Sequence, residues 1–320
     1  MSREPIHIAC AADQAYVPHA AAMLRSLIVR QAARPVQIHF LHGPALPTPQ
    51  LETLRGMVEA LGARILFHPI PDQRVADLPE MGRISRVMWY RVFLPELLPG
   101  VDRVLYLDCD TIVMDSLDAL WDSDLGANYL GAVNNVFEPG RGVRAVHLGL
   151  KGPECYFNSG VLLFNLSAWR EHDCAGRVLA FARANSARLA WPDQDALNVV
   201  MAGRWLALHP RWNCQNSLFY FAHARNVFGA EVTSAATRDP GILHFEGGAL
   251  AKPWHYLCKH PYRGEYFAQR AGTPWPEVSI EGRTAVNRLL RPLPMPLLLP
   301  ALKAVHRLQG AVQRRMGQRA

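Results

Sequence analysis

Apolar residues in the first third of the chain switch repeatedly between two spacings, and this narrows the folds open to it. Residues 6–12, 36–41 and 64–70 are short apolar runs, and residues 20–29 and 49–61 between them carry apolar side chains at helical intervals. Short runs of this kind read as strands buried on both faces, and the segments between them as crossover helices. The expected fold is α/β, a Rossmann-like, mainly parallel central sheet with flanking helices and ligands beyond the carboxyl ends of its strands. Further on, residues 85–94 predict a helix, Arg103–Leu107 a buried strand, 160–166 another strand, 167–184 a helix, and Asp193 the opening of one more.

Of the 320 residues, 50% are hydrophobic and 19% charged, enough for a large core and too little charge for a disordered chain. The net charge of +7 is concentrated at one end. No acid follows Glu281, and the last 39 residues carry eight basic side chains, leaving 26 basic against 27 acidic in the first 281. A near-neutral body argues against nucleic-acid binding, which needs cations spread over a folded face. The six cysteines are scattered, as reduced thiols in a cytosol would be. No run resembles a signal-peptide core and no apolar stretch reaches 18 residues, so the expectation is a cytoplasmic protein that does not span a membrane.

Asp108 and Asp110 close the apolar run, and a strand continuing through them would direct both side chains to one face. Two such carboxylates invite a shared Mg²⁺ or Mn²⁺, which in turn would hold a diphosphate oxygen. Taken alone, the pair also reads as a strand-end turn with two solvated acids.

The run Val104-Leu105-Tyr106-Leu107-Asp108-Cys109-Asp110-Thr111-Ile112-Val113, with Asp115-Ser116-Leu117 and Leu120-Trp121 after it, resembles glycosyltransferase family 8. These are retaining enzymes of the GT-A fold that use UDP-sugars. Other segments match in the same order: Ala11-Ala12-Asp13 with Tyr16, Ser85 with Arg91, Phe157 to Leu166, Asp193-Gln194-Asp195 with Asn198, His244, and Lys252-Pro253-Trp254-His255. Together they cover about residues 6 to 260. The likeness is nearest to bacterial lipo-oligosaccharide and lipopolysaccharide galactosyltransferases and glucosyltransferases, which also end in a basic, membrane-seeking tail.

The resemblance implies that Asp108, Asp110 and His244 bind Mn²⁺ or Mg²⁺, and that Lys252, with Gly247 or Gly248, meets the diphosphate. It places Ala11, Asp13, Tyr16, Ser85 and Cys109 around the nucleotide, Asp13 accepting from the uracil imide and Tyr16 offering its ring for stacking. It sets Arg91, which also shields the charged site, and Asn158 beside the donor sugar, Ser159 among the donor-binding residues, Asp193 on a donor hydroxyl and Gln194 beneath the anomeric carbon, and so makes Gln194, Asp193 and Arg91 the catalytic residues. A neutral amide is a poor nucleophile. Front-face substitution through an ion pair is therefore preferred, with Gln194 stabilising oxocarbenium-like charge and the UDP leaving oxygen taking the acceptor proton. Ala15 stands where a polar residue is expected, and His244 and Lys252 are two residues further apart than in the family pattern. Arg83, Trp191 and Glu246 replace the His, Tyr and Cys expected at acceptor positions, which suggests a different acceptor.

The expected division is a catalytic domain over residues 1–265 and a basic amphipathic region over 266–320. In the latter, Leu289, Leu290, Leu293, Leu297, Leu298, Leu299, Leu302, Val305 and Leu308 alternate with cations, a composition suited to an anionic lipid interface. The full reading is a metal-dependent hexosyltransferase moving galactose or glucose from UDP to an oligosaccharide or glycolipid acceptor at the cytoplasmic membrane face. Two competitors are a haloacid-dehalogenase-like phosphohydrolase, with Asp108 as nucleophile and Asp110 as acid/base, and a non-catalytic sugar-binding protein.

Overall fold

A computed structural model describes residues 4–80, 85–137, 140–295, 297, 298 and 300–302. Arg83, Leu299 and the stretch from Lys303 onward, with Val305 and Leu308, lie outside the described residues.

The strands, in chain order, are β1 (Ile6–Ala11), β2 (Val36–His42), β3 (Arg64–Pro69), β4 (Arg103–Leu107), β5 (Thr111–Val113), β6 (Leu130–Asn134), β7 (Phe157–Asn165), β8 (Trp205–Ala207), β9 (Cys214–Gln215) and β10 (Ile242–His244). Seven of them form the central sheet in the order β3-β2-β1-β4-β7-β6-β8, and only β7 runs against its neighbours. The chain builds outward from β1 to β3, then returns to β1's other side with β4. That reversal opens a crevice at the carboxyl ends of β1 and β4, where α/β sheets bind ligands.

Alternation along the strands fills two apolar layers. Ile6, Ile8 and Cys10 pack with Met23 and Leu27 of helix Val17–Ile28 and Val58 of helix Thr48–Ala60. Ala9 and Ala11 face the opposite layer, with Trp89, Trp169, Val178 and Leu197. Burial on both faces is why β1 reads as an unbroken apolar run, whereas β3, expected to be buried likewise, lies at the sheet edge and leaves Leu66 45% exposed.

Three expected elements come out differently. Residues Arg86–Phe93 form a 3-10 rather than an α-helix, with the side chains from Met88 to Phe93, Arg91 included, buried in succession. The helix expected over 167–184 is two, Leu166–Glu171 and Cys174–Ala184. Asp173 breaks it with φ 46°, and its carboxylate accepts from the Gly176 N–H at 3.2 Å, capping the second helix. The strand carrying the acids does not continue through them: β4 stops at Leu107, and Asp108–Asp110 is a turn in which Asp108 O accepts from Thr111 N–H at 3.2 Å and from its hydroxyl at 2.8 Å.

That turn passes the chain into a second sheet, ordered β5-β10-β9. β10 lies antiparallel to β5, with Ile242 opposite Val113 and His244 opposite Thr111. In the tail, helix Ala285–Leu290 leads to Leu298 and Leu302, which are buried against Leu257. Those two leucines, expected at a lipid face, are covered by the body; Leu289 and Leu297 stay 80% and 58% exposed. Among the described residues no helix is long and apolar enough to cross a membrane.

Candidate active site

The two-sheet register brings Asp108, Asp110 and His244 together, each offering a ligand atom within 4.8 Å of the others. His244 Nε2 lies 3.3 Å from Asp110 Oδ1 and 3.9 Å from Asp108 Oδ2. Its Nδ1 meets Asn213 Oδ1 at 2.9 Å, and the Asn213 amide donates onward to Asn158 Oδ1 at 2.9 Å. Asn213 therefore presents an acceptor to Nδ1, which places the imidazole proton there and leaves Nε2 facing the carboxylates. Burial disfavours the imidazolium, yet Asp110 outweighs that cost and raises the His244 pKa.

The residues fit a divalent cation. Two carboxylates and an imidazole are a donor set for Mn²⁺ or Mg²⁺, the nitrogen favouring the former. Space is kept beside them by Gly160 of β7, where a Cβ would lie 2.8 Å from His244 Nε2 and 2.9 Å from Asp108 Oδ2.

Cations already compensate the two acids. Lys252 Nζ contacts Asp110 Oδ2 and donates to Phe245 O at 2.8 Å. Burial works against the Asp110 carboxylate, but Lys252 and His244 prevail and hold its pKa far below the usual range. The buried Arg91 donates to Asp108 Oδ1 at 2.9 Å and to Ser159 O, stacks over the Tyr106 ring, and lies 3.6 Å from Asp193 Oδ2. That Asp193 oxygen is buried with no hydrogen-bond partner among the described residues, and burial pushes the carboxyl up to about 6 despite Arg91.

Gln194 lies alongside. Its Oε1 accepts from Ser159 N–H at 2.9 Å and from Ser159 Oγ at 3.3 Å. At the end of β1, Asp13 accepts from Tyr16 N–H at 3.1 Å and from the Ser85 hydroxyl at 3.1 Å. Ala11 O accepts from the Cys109 thiol at 3.2 Å. Tyr16 is 38% exposed, with Trp254 edge-on to its ring at 6.3 Å. Gly247 holds φ 95°, a left-handed conformation that favours glycine, whereas Gly248 has open space around it.

Three expected residues sit in less obvious settings. The Asn158 side chain is engaged at both ends, accepting from Gly160 N–H and Asn213 and donating to Asn135 Oδ1. Glu246 accepts from Ser217 N–H at 3.2 Å, and Trp191 packs near Tyr156 and Phe137. Sequence reasoning missed Tyr156, Asn213 and Arg144, which reach the site through contacts far apart in the chain. Gly160 and Asp195 were visible within matched motifs, but nothing local indicated what they do.

An open α/β sheet with an Asp-x-Asp turn at its switch point and a histidine across from it defines a glycosyltransferase of the GT-A type. The family model described as glycosyl transferase family 8 matches residues 7–258, and the chain belongs to that family. General stress protein A of Bacillus subtilis is 29% identical over 291 residues, 89% of this chain and 99% of that protein. A lipopolysaccharide 1,2-glucosyltransferase of Escherichia coli K12 is 28% identical over 68% of this chain and 63% of its own length. Among solved structures, the galactosyltransferase LgtC in complex with donor and acceptor sugar analogs superposes with a TM-score of 0.74, at 27% identity, covering 84% of this chain and 96% of that one. None of these likenesses favours the phosphohydrolase reading.

Proposed function

We propose that the chain transfers galactose or glucose from UDP, with retention, to a saccharide acceptor of the lipopolysaccharide or lipo-oligosaccharide core, in a reaction that depends on Mn²⁺ or Mg²⁺. The observation that carries this reading is the convergence of Asp108, Asp110 and His244 beside Lys252 and Arg91. The named activities of the E. coli and LgtC relatives support the substrate class.

When bound, the divalent ion supplies charge compensation for the departing diphosphate. Asp108, Asp110 and His244 hold it. Lys252, resting on Asp110, is placed to turn its ammonium to the diphosphate oxygens, with Gly247 and Gly248 admitting them close to the backbone. Asp13, Ser85, Tyr16, Ala11 and Cys109 form the nucleotide end. Asp193 Oδ2, buried and without a hydrogen bond among the described residues, is suited to accept from a donor-sugar hydroxyl. Arg91 bridges Asp108 and Asp193, Ser159 and Asn158 line the sugar, and the Gln194 carbonyl oxygen stabilises positive charge at the anomeric carbon.

We also propose residues 1–265 as the catalytic unit and 266–320 as a region that holds the protein at the inner face of the cytoplasmic membrane. Exposed Val286, Leu289 and Leu297 with Arg283, Arg288 and Arg291 would supply contact, each cation adding about 1 kcal/mol near an anionic surface.

The test is hydrolysis of UDP-galactose and UDP-glucose with Mn²⁺, in chelator, and by Asp110→Ala. The expected result is metal-dependent release of UDP, lost in chelator and reduced roughly 100-fold or more in the folded variant. Full turnover in chelator would contradict the metal role, and absence of hydrolysis of either donor would return the sugar-binding alternative.

A further inference from the structure

Between β7 and helix Pro192–Val200, four side chains form a hydrogen-bonded chain that ends on Gln194. Asp195 has no solvent exposure. Its carboxylate accepts from Ala190 N–H at 2.8 Å, Trp191 N–H at 3.0 Å, the Tyr156 hydroxyl at 2.6 Å, and Arg144, whose Nε lies at 3.3 Å and whose Nη2 is also in contact. With two backbone N–H groups and a guanidinium donating to it, the Asp195 carboxylate serves only as an acceptor. The Tyr156 proton must therefore point to Asp195.

With its proton committed, the Tyr156 oxygen can only accept, and the partner facing it is Gln194 Nε2 at 3.2 Å. At the other end of the same amide, the Ser159 N–H, which can only donate, meets Oε1 at 2.9 Å. The two ends agree on one orientation. Turning the amide over would set an NH₂ against an N–H and a carbonyl against an oxygen with no free proton, leaving buried groups unpaired on both sides. Orientation sets the sign of the field: a carbonyl oxygen attracts a developing cation, and an NH₂ repels it.

We infer that Tyr156 and Asp195 are positioning residues that fix which end of the Gln194 amide is oxygen, so that the donor sugar meets the carbonyl rather than the amide protons. Arg144 pins Asp195 from the far side. The inference rests on the role proposed for Gln194.

The experiment follows UDP release from the UDP-hexose with Mn²⁺ and no acceptor, for the full chain and for Gln194→Ala, Tyr156→Phe and the double variant. Expected for Tyr156→Phe is a kcat about tenfold lower, with the donor KM and the calorimetric affinity for UDP within about twofold of the starting protein. In the Gln194→Ala background the same change should cost nothing further, because the group it orients is gone. An unchanged kcat in Tyr156→Phe beside an impaired Gln194→Ala overturns the inference, as does a double variant whose losses multiply. Loss of UDP affinity in step with kcat overturns it too, since that is what general damage to the site would produce. Full turnover in Gln194→Ala is distinguishable from all of these: it removes the proposed role of Gln194, and the relay with it. Should Tyr156→Phe not fold, Asp195→Asn reads the same relay, with a kcat loss absent from the Gln194→Ala background expected and an unchanged kcat overturning it.

Discussion

Gly160 and His244 face each other so closely that a methyl group on the glycine would lie 2.8 Å from the imidazole Nε2. The glycine belongs to β7 of the central sheet and the histidine to β10 of the small one, so the space between them marks where the two sheets meet the Asp-x-Asp turn. The backbone at Gly160 does not require glycine; only the neighbouring histidine and Asp108 do.

Gly160→Ala should therefore spoil the proposed metal site more than the fold. We expect roughly 100-fold weaker Mn²⁺ binding, read by electron paramagnetic resonance of free Mn²⁺, with a stability loss of about 1–3 kcal/mol from overpacking. Unchanged Mn²⁺ affinity would show that the cation sits elsewhere.

Asp193 should make stability depend on pH. Its carboxyl is raised from 3.8 to about 6, mainly by burial, so between these values the folded protein keeps a proton that the unfolded chain has released. The stabilisation is complete below about pH 4 and is lost as pH rises through about 6. Asp193→Asn should flatten the Tm profile across that window and be more stable at neutral pH by about 2–3 kcal/mol, while losing turnover. A profile unchanged by the substitution would count against the buried acid as its source.

The ladder His7, His39, His68 crosses three strands, with ring nitrogens 3.0 and 3.1 Å apart. Burial first, then the neighbouring imidazoles, lowers the His39 pKa from 6.5 to about 3. The unfolded chain takes up a proton below about 6.5 that the folded protein refuses, so this contribution is full above 6.5 and declines as pH falls. His39→Asn should lessen the acid-side fall in Tm between pH 6.5 and 4, measured by calorimetry.

Two leucines of the basic region should behave oppositely. Leu298 has no exposure and packs on Leu257, so Leu298→Ala should cost about 2–4 kcal/mol in denaturant unfolding. Leu289, 80% exposed, should cost less than about 0.5 kcal/mol when cut to alanine, yet weaken sedimentation with anionic vesicles if that face meets lipid.

Local pattern alone determined a good deal. The alternation of apolar runs and helical stripes announced a parallel α/β sheet, because burial on both faces forces near-continuous apolar strands, and the Asp108–Asp110 pair announced itself at a strand end. What no local pattern held was long-range register. Pairing of β10 with β5 sets His244 opposite Thr111, and only that pairing turns a lone histidine into the third group beside the acids. The turn at 108–110, Asn213 behind His244, and the hold of Tyr156 and Asp195 on Gln194 are likewise products of packing. Periodicity reports which face of an element is buried, whereas hydrogen-bond partners are chosen by where distant elements come to rest.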